Sequence, residues 1–94
     1  MNGVIYVVNN TDISIFHQHN VCAEYAKKYG ISVSYRVFDI RGNRFQEAIN
    51  KVIADENNTA LIVYNRDVAF NDFEEYLFYK IYLEKLNKKL ISCT

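Results

Sequence analysis

The feature that most constrains the fold is an unbroken apolar run at residues 60–64, Ala-Leu-Ile-Val-Tyr, which Asn65, Arg66 and Asp67 follow directly. A continuous, partly β-branched run of this length is typical of a strand buried on both faces of a parallel sheet. Polar residues just past the carboxyl end of such a strand lie where open α/β sheets place their sites. The run therefore predicts a central strand, and it indicates the sheet edge at which a functional site is expected.

The rest of the chain alternates between strand and helix patterns. We predict strands over residues 3–8, 31–38, 60–64 and 90–93, and helices over residues 13–29, 44–55 and 73–88, with Gly30 closing the first helix. This order implies parallel pairing with right-handed crossovers. The predicted fold class is α/β, with three layers and a four-stranded parallel, flavodoxin-like sheet. No proline or Ser/Gly-rich linker interrupts the chain, so one domain is expected over residues 1–94.

The second predicted strand carries one polar face, which holds Ser32, Ser34 and Arg36. Its apolar residues Val33, Tyr35 and Val37 are expected on the opposite face. A strand with one polar face is typical of a sheet edge, whereas the strands at residues 3–8 and 60–64 are apolar throughout. The predicted strand order is therefore 2-1-3-4.

The composition excludes several classes of protein. Eleven basic residues balance eleven acidic ones, so the net charge does not support binding to nucleic acid or to a membrane surface. No apolar run approaches the roughly 20 residues that span a bilayer. Met1-Asn2-Gly3 supplies no basic region for a signal peptide, and Cys22 and Cys93 are too few and too distant in sequence for a disulfide framework. We expect a complete, cytoplasmic protein with two reduced thiols.

No metal site or cofactor is predicted. His17 and His19 point about 200° apart on a helix, and His19 and Cys22 lack a third ligand nearby. The loop at residues 9–12 follows a central strand but lacks the glycines of a phosphate-binding loop. Thr11 and Asp12 are instead expected to cap the first helix.

Three arginines are predicted to meet at the same sheet edge. Arg41 and Arg44 follow the second strand with Asp39, and Arg66 follows the third strand with Asp67. Converging guanidinium groups suit a phosphate through bidentate hydrogen bonds. The alternative is that these arginines form solvated salt bridges with Asp39 and Asp67.

The last predicted helix is apolar at seven of the eight positions of residues 76–83, which is wider than the stripe that covers one sheet face. With Leu77 and Ile81 toward the sheet, accompanied by Tyr76, Leu83 and the stem of Lys80, the side chains of Phe78 and Tyr82 point outward. An outward aromatic pair indicates a surface for a protein partner or a second copy of the chain. The alternative is packing against a neighbouring helix of the same monomer.

Several motifs together resemble the catalytic domain of the serine recombinases, the resolvase and invertase group. Residues 6–11, Tyr-Val-Val-Asn-Asn-Thr, stand in place of the family's Tyr-x-Arg-Val-Ser-Thr. The family's later landmarks are matched by Gln18, Tyr25-Ala26, Gly30, Asp39, Gly42, Arg44 and Arg66. The resemblance implies a resolvase-like fold and descent from proteins of DNA recombination.

The same resemblance implies that the chemistry is lost. These recombinases attack a DNA phosphodiester with a serine while arginines stabilise the developing charge. Here the nucleophile position is Asn9 or Asn10, and Val8 and Ala69 stand where two arginines are expected. The chain also ends before the family's dimerisation helix and DNA-binding segment. No intact catalytic residue is therefore predicted.

Three functions follow as hypotheses. The first is an inactive, stand-alone resolvase-like module that binds proteins, in a mobile element or phage. The second is a DNA-binding or phosphoryl-transfer remnant that uses Arg44 and Arg66. The third is a small receptor for a phosphorylated ligand.

Overall fold

The computed structural model describes residues 1–9 and 12–94. Strands and helices alternate along the chain as β1 (Asn2–Val8), α1 (Ile15–Lys28), β2 (Ser32–Asp39), α2 (Phe45–Ala54), β3 (Asn58–Val63), α3 (Arg66–Ala69), α4 (Phe73–Lys85) and β4 (Lys89–Ser92). All three strand pairings are parallel, and the sheet order is β2-β1-β3-β4. The predicted fold class and strand order are confirmed. The short helix α3 was not predicted.

The sheet separates two apolar cores. On one face, α1 packs Cys22 and Ala26 against Ile5, Val7 and Ile62. On the other face, α2 and α4 cover the side chains that point the opposite way, which include Val4, Tyr6, Leu61 and Val63. Residues 4–8 of β1 and 60–63 of β3 are buried, which confirms that the two continuous apolar runs are central strands.

Strand β2 lies at the sheet edge, as predicted, but its apolar residues do not share one face. The register with β1 shifts between Gly3 and Val4, so that Gly3 pairs with Val33 and Val4 pairs with Tyr35. Such an irregularity moves the following side chains to the opposite face. Val33 therefore packs on the α1 side, whereas Tyr35 and Val37 pack on the α2 side. The prediction of a common face was wrong for this reason.

Two helix ends show how local hydrogen bonding sets the boundaries. Gly30 (φ 68°) closes α1, and the Ile31 N–H reaches the Ala26 carbonyl, as the sequence predicted. Asn87 (φ 59°) closes α4 in the same way, because the Lys88 N–H bonds to the Leu83 carbonyl. The helix consequently ends at Lys85, three residues before the predicted end.

The start of α1 differs from the prediction. The N-cap is Ser14, whose hydroxyl accepts a hydrogen bond from the Phe16 N–H at 3.1 Å. Asp12 therefore does not cap this helix, and Thr11 lies outside the described residues. Ser14 supplies the side-chain oxygen that the first free N–H groups of a helix require.

The orientation of α4 agrees with the prediction in part, because Leu83 and Tyr76 face the core and Phe78 and Tyr82 point outward. Leu83 is fully buried, and Tyr76 and Tyr79 pack against the core beside it. Leu77 and Ile81 are 39% and 45% exposed, so the prediction that they face the sheet was wrong. An almost wholly apolar sequence contains no polar positions that fix the rotation of a helix. Among the described residues, no helix is both long and apolar enough to cross a bilayer.

Candidate functional site

The carboxyl ends of the strands open onto a cavity of about 260 Å³. It lies between the end of β1, the loop after β2, the start of α2, and the segment that joins α3 to α4. Its lining residues are Tyr6, Val8, Gly42, Phe45, Ala69, Asn71, Glu75 and Tyr79. This is the sheet edge at which the sequence predicted a site.

Asp39 is the buried anchor of this edge. Its carboxylate is fully buried and accepts the Tyr6 hydroxyl at 2.6 Å. It also accepts the backbone N–H groups of Gly42, Asn43 and Arg44 at 2.8, 3.0 and 2.8 Å. Four donors converge on one carboxylate, because Gly42 (φ 77°) lets the loop turn around it. Asp39 thus fixes the loop, and in the part of the chain that the structure describes it forms no salt bridge with an arginine.

The protonation of this pair follows from its surroundings. Burial acts to raise the pKa of Asp39, but hydrogen bonds from Tyr6 and from the three N–H groups outweigh it and leave that pKa lowered. Burial, followed by the hydrogen bond to Asp39, strongly raises the pKa of Tyr6. The pair is therefore an ionised carboxylate with a neutral phenol at neutral pH.

Gln18 holds the end of β1 from the α1 side. This buried side chain donates from Nε2 to the Val8 carbonyl at 2.9 Å and accepts the Val8 N–H at Oε1 at 3.3 Å. It also donates to the Ile13 carbonyl at 3.1 Å. Asn9 follows Val8, is exposed, and donates its N–H to the Asp39 carbonyl at 3.0 Å. The other candidate for the nucleophile position, Asn10, lies outside the described residues.

Arg44 forms a bidentate ion pair with Glu47, which lies three residues later in the sequence. Its Nε and Nη2 donate to the Glu47 carboxylate at 2.9 and 2.8 Å, and its Nη1 donates to the Phe38 carbonyl at 3.1 Å. Tyr35 donates its hydroxyl to the same carboxylate at 2.7 Å. Arg44 and Tyr35 lower the pKa of Glu47 to about 2. This bidentate pair occupies Arg44 outside the cavity.

The other two predicted arginines lie apart from Arg44. The Arg66 guanidinium carbon lies 5.4 Å from the centre of the Phe73 ring and 5.5 Å from that of Tyr76. Arg41 is exposed, and neither it nor Arg66 forms an ion pair within residues 1–9 and 12–94. None of the three arginines lines the cavity. Asp67 is exposed at the start of α3.

The cavity has apolar and acidic walls. Val8 and Ala69, at the positions where the resemblance calls for arginines, both line it. Among the described residues, Glu75 is the one charged side chain in the lining, and its carboxylate accepts the Asn71 N–H at 3.3 Å. Sequence reasoning missed Glu75, Phe45 and Tyr79, because only the tertiary fold brings α2 and α4 to this edge. A carboxylate without a guanidinium partner disfavours a phosphate in the cavity.

The histidines have partners other than a metal. Arg36 donates from Nε to His19 Nε2 at 3.0 Å, and the His17 ring lies 5.7 Å from the ring of Tyr64. Within the described part of the chain, no three His, Cys, Asp or Glu side chains are arranged to hold a metal ion.

The outward surface of α4 carries the two aromatic residues singled out from the sequence. Phe78 is 62% exposed, Tyr82 is 40% exposed, and their rings stack at 6.2 Å with 8° between their planes. Within residues 1–9 and 12–94, neither ring belongs to the two apolar cores that the helices form with the sheet. We call the exposed stripe of Glu74, Phe78, Ile81, Tyr82 and Lys85 the α4 face.

No protein-family model and no curated protein sequence matches the chain. Several solved structures share its fold, and three of them are catalytic domains of recombination proteins. The C-terminal catalytic domain of ISC1926 TnpA, an IS607-like serine recombinase, matches with a TM-score of 0.76 and 18% identity, over 100% of this chain and 70% of that one. The N-terminal catalytic domain of TP901-1 integrase gives 0.75 and 25%, over 99% and 77%. The C-terminal catalytic domain of IS1535 TnpA, also IS607-like, gives 0.69 and 15%, over 97% and 70%.

Proposed function

The chain has the fold of serine recombinase catalytic domains, and we propose that it is a catalytically inactive form of that fold that acts by binding proteins. Its first partner is a second copy of itself, which binds through the α4 face. The observation that carries the proposal is the exposed Phe78–Tyr82 stack on a helix whose opposite side is already buried.

The lining of the cavity supports the loss of catalysis. The hydroxyl of Tyr6 is held by Asp39 and stays protonated, so it is a poor nucleophile. Val8 and Ala69 supply no charge to stabilise a pentavalent phosphorus. The asparagines at the nucleophile position of the resemblance cannot form a phosphoserine-type ester, and loss of a nucleophile removes nearly all covalent rate.

The α4 face is complementary to itself. Glu74 and Lys85 are eleven residues apart, which places them about 16 Å apart along the helix and within about 20° of the same direction. Phe78, Ile81 and Tyr82 lie between them. When two copies of α4 pair antiparallel about a two-fold axis, each Glu74 meets the partner's Lys85 across a central aromatic contact. Because these charges match those of an antiparallel second copy, we propose a second copy of the chain as the partner of the α4 face.

Charge exchange on the α4 face tests this arrangement. We expect light scattering to show a dimer for the wild type, and we expect Lys85→Glu or Glu74→Lys to weaken it about tenfold, because symmetry doubles the loss of a surface ion pair. The combination Glu74→Lys with Lys85→Glu restores the complementary order and is expected to restore the dimer.

The aromatic contact is tested by Phe78→Ser with Tyr82→Ser. We expect this variant to be a folded monomer, and the circular dichroism spectrum controls for folding. A monomeric wild type, or a double charge exchange that does not recover the dimer, overturns self-association. Binding of the monomer to a recombinase of a mobile element or phage would assign the α4 face to a different protein.

A second candidate function is residual contact with DNA or another phosphate. The observation that favours it is the exposed Arg66 guanidinium, which follows β3 at the sheet edge and forms no ion pair in the described residues. Glu75 and the loss of cavity arginines disfavour a receptor for a phosphorylated small ligand.

The salt dependence of binding to a short DNA duplex tests this candidate. We expect weak binding whose logarithmic salt slope is about −1 to −2, as one or two phosphate contacts produce. Arg66→Ala should lower the slope by about 1, whereas Arg44→Ala, the matched control, should leave it unchanged because Glu47 already holds Arg44. A salt slope that does not change with Arg66→Ala excludes a phosphate contact by Arg66.

A further inference from the structure

The two cysteines, distant in sequence, are brought together by the fold. Cys22 is fully buried on α1, and Cys93 follows β4, where its N–H bonds to the Val63 carbonyl at 3.0 Å. Both side chains pack in the same apolar core, on the α1 side of the sheet. Sequence spacing predicted two unrelated thiols, but the parallel sheet places the end of β4 against α1.

Cys93 is the accessible member of the pair. It is half-buried and lines a surface groove of about 590 Å³. The other lining residues are Val21, Glu24, Tyr25, Lys27 and Lys28. A groove of this size accommodates a small peptide-like molecule. Two lysines against one glutamate favour a ligand that carries carboxylates.

The two thiols differ in the way that a two-step exchange requires. The hydrogen bond from Cys22 lowers the pKa of Cys93, although burial opposes this shift. The hydrogen bond to Cys93, together with burial, raises the pKa of Cys22. Exchange requires a thiolate that the incoming disulfide can reach, so the accessible Cys93 attacks first and the fully buried Cys22 then resolves the mixed disulfide.

We propose that Cys22 and Cys93 form an oxidisable dithiol, and that an anionic, low-molecular-weight disulfide of the glutathione class docks beside Cys93 and converts the pair into an intramolecular disulfide. The Cys93 thiolate attacks one sulfur of the docked disulfide, forms a mixed disulfide and expels one thiolate. Cys22 then loses its proton and attacks the Cys93 sulfur, which expels the second thiolate. Two protein thiols are oxidised and one disulfide is reduced to two thiols, so electrons and protons balance.

Mass spectrometry of the native protein incubated with oxidised glutathione tests the sequence of steps. We expect the wild type to lose the mass of two hydrogen atoms and to hold no lasting adduct. Cys22→Ser should stop at a glutathione adduct on Cys93. Cys93→Ser should not react, because Cys22 is buried. A lasting adduct on the wild type, or an unreactive Cys22→Ser, overturns the proposal.

The role of the lysines is tested by a comparison of oxidants. Lys27→Gln with Lys28→Gln should slow oxidation by oxidised glutathione about threefold to fivefold, as loss of exposed charge pairs predicts. The rate with the neutral bis(2-hydroxyethyl) disulfide should not change. Equal slowing with both oxidants overturns docking of the anion.

The melting temperature tests whether the disulfide forms within the native fold. The oxidised wild type is expected to melt about 10 °C higher than the reduced protein, because the disulfide closes a long loop. An unchanged melting temperature contradicts a native cross-link.

Discussion

Replacing Asp39 by alanine is expected to lower the free energy of unfolding by about 3–5 kcal/mol, which is the range for breaking a buried charged network. The substitution leaves the Tyr6 hydroxyl and the N–H groups of the Gly42 to Arg44 loop without their acceptor. Urea denaturation followed by circular dichroism measures the loss. Asp67→Ala is the matched control, because Asp67 is an exposed carboxylate in the first turn of α3, and its change should stay within about 0.5 kcal/mol.

The pH dependence of stability separates the charge of Asp39 from its shape. Because its folded-state pKa is lowered, Asp39 contributes stability that is present above the unfolded pKa of about 3.9 and is lost as the pH falls toward the folded value. Asp39→Asn keeps the shape, so its stability should fall less steeply over that acidic range than that of the wild type. Equal acid slopes for the two proteins, or a loss with Asp39→Ala no larger than that with Asp67→Ala, would contradict the role of Asp39 as the anchor of this edge.

Part of this network could be predicted from the sequence, and part could not. Asp39 was identified as a candidate through the family resemblance, and Gly42 three residues later is compatible with a turn around it. The Tyr6 hydroxyl arrives from a neighbouring strand, so only the strand order and register bring it to Asp39. The alternative in which Asp39 pairs with loop arginines failed, because it assumed a solvated loop where the structure has a buried carboxylate.

The partner of Arg44, in contrast to that of Tyr6, could have been predicted from the sequence alone. Its partner Glu47 is only three residues away on the first turn of α2, a spacing at which helical side chains meet. The sequence reasoning considered Asp39 and Asp67 as partners and overlooked this local one. The cavity residues Glu75 and Tyr79 are a different case, because α4 reaches the cavity through tertiary packing that no local pattern encodes.

The rotation of α4 was predicted only in part, because Leu77 and Ile81 were expected to face the sheet and are exposed instead. Between residues 76 and 83 only Lys80 is charged, so the sequence does not indicate which side of the helix faces the sheet. In the structure, aromatic packing on the sheet side fixes the rotation of the helix about its axis. Tyr79 lies 4.8 Å from Phe45, and Phe70 lies 5.7 Å from Tyr76, measured between ring centres. These contacts turn Leu83 inward and leave the α4 face exposed.

Leu83→Ala is therefore expected to destabilise the protein by about 2–5 kcal/mol, because it opens a cavity where the only fully buried residue of α4 meets the core. Leu77→Ala is the matched control on the same helix and should cost about 1 kcal/mol or less, since Leu77 is 39% exposed and alanine favours a helix. Both changes are measured by urea denaturation in the Phe78→Ser, Tyr82→Ser background, where self-association does not contribute. Equal losses at the two positions would indicate the rotation that the sequence predicted. A loss confined to Leu83 requires that α4 presents its aromatic pair to solvent, which is the condition for any partner to bind there.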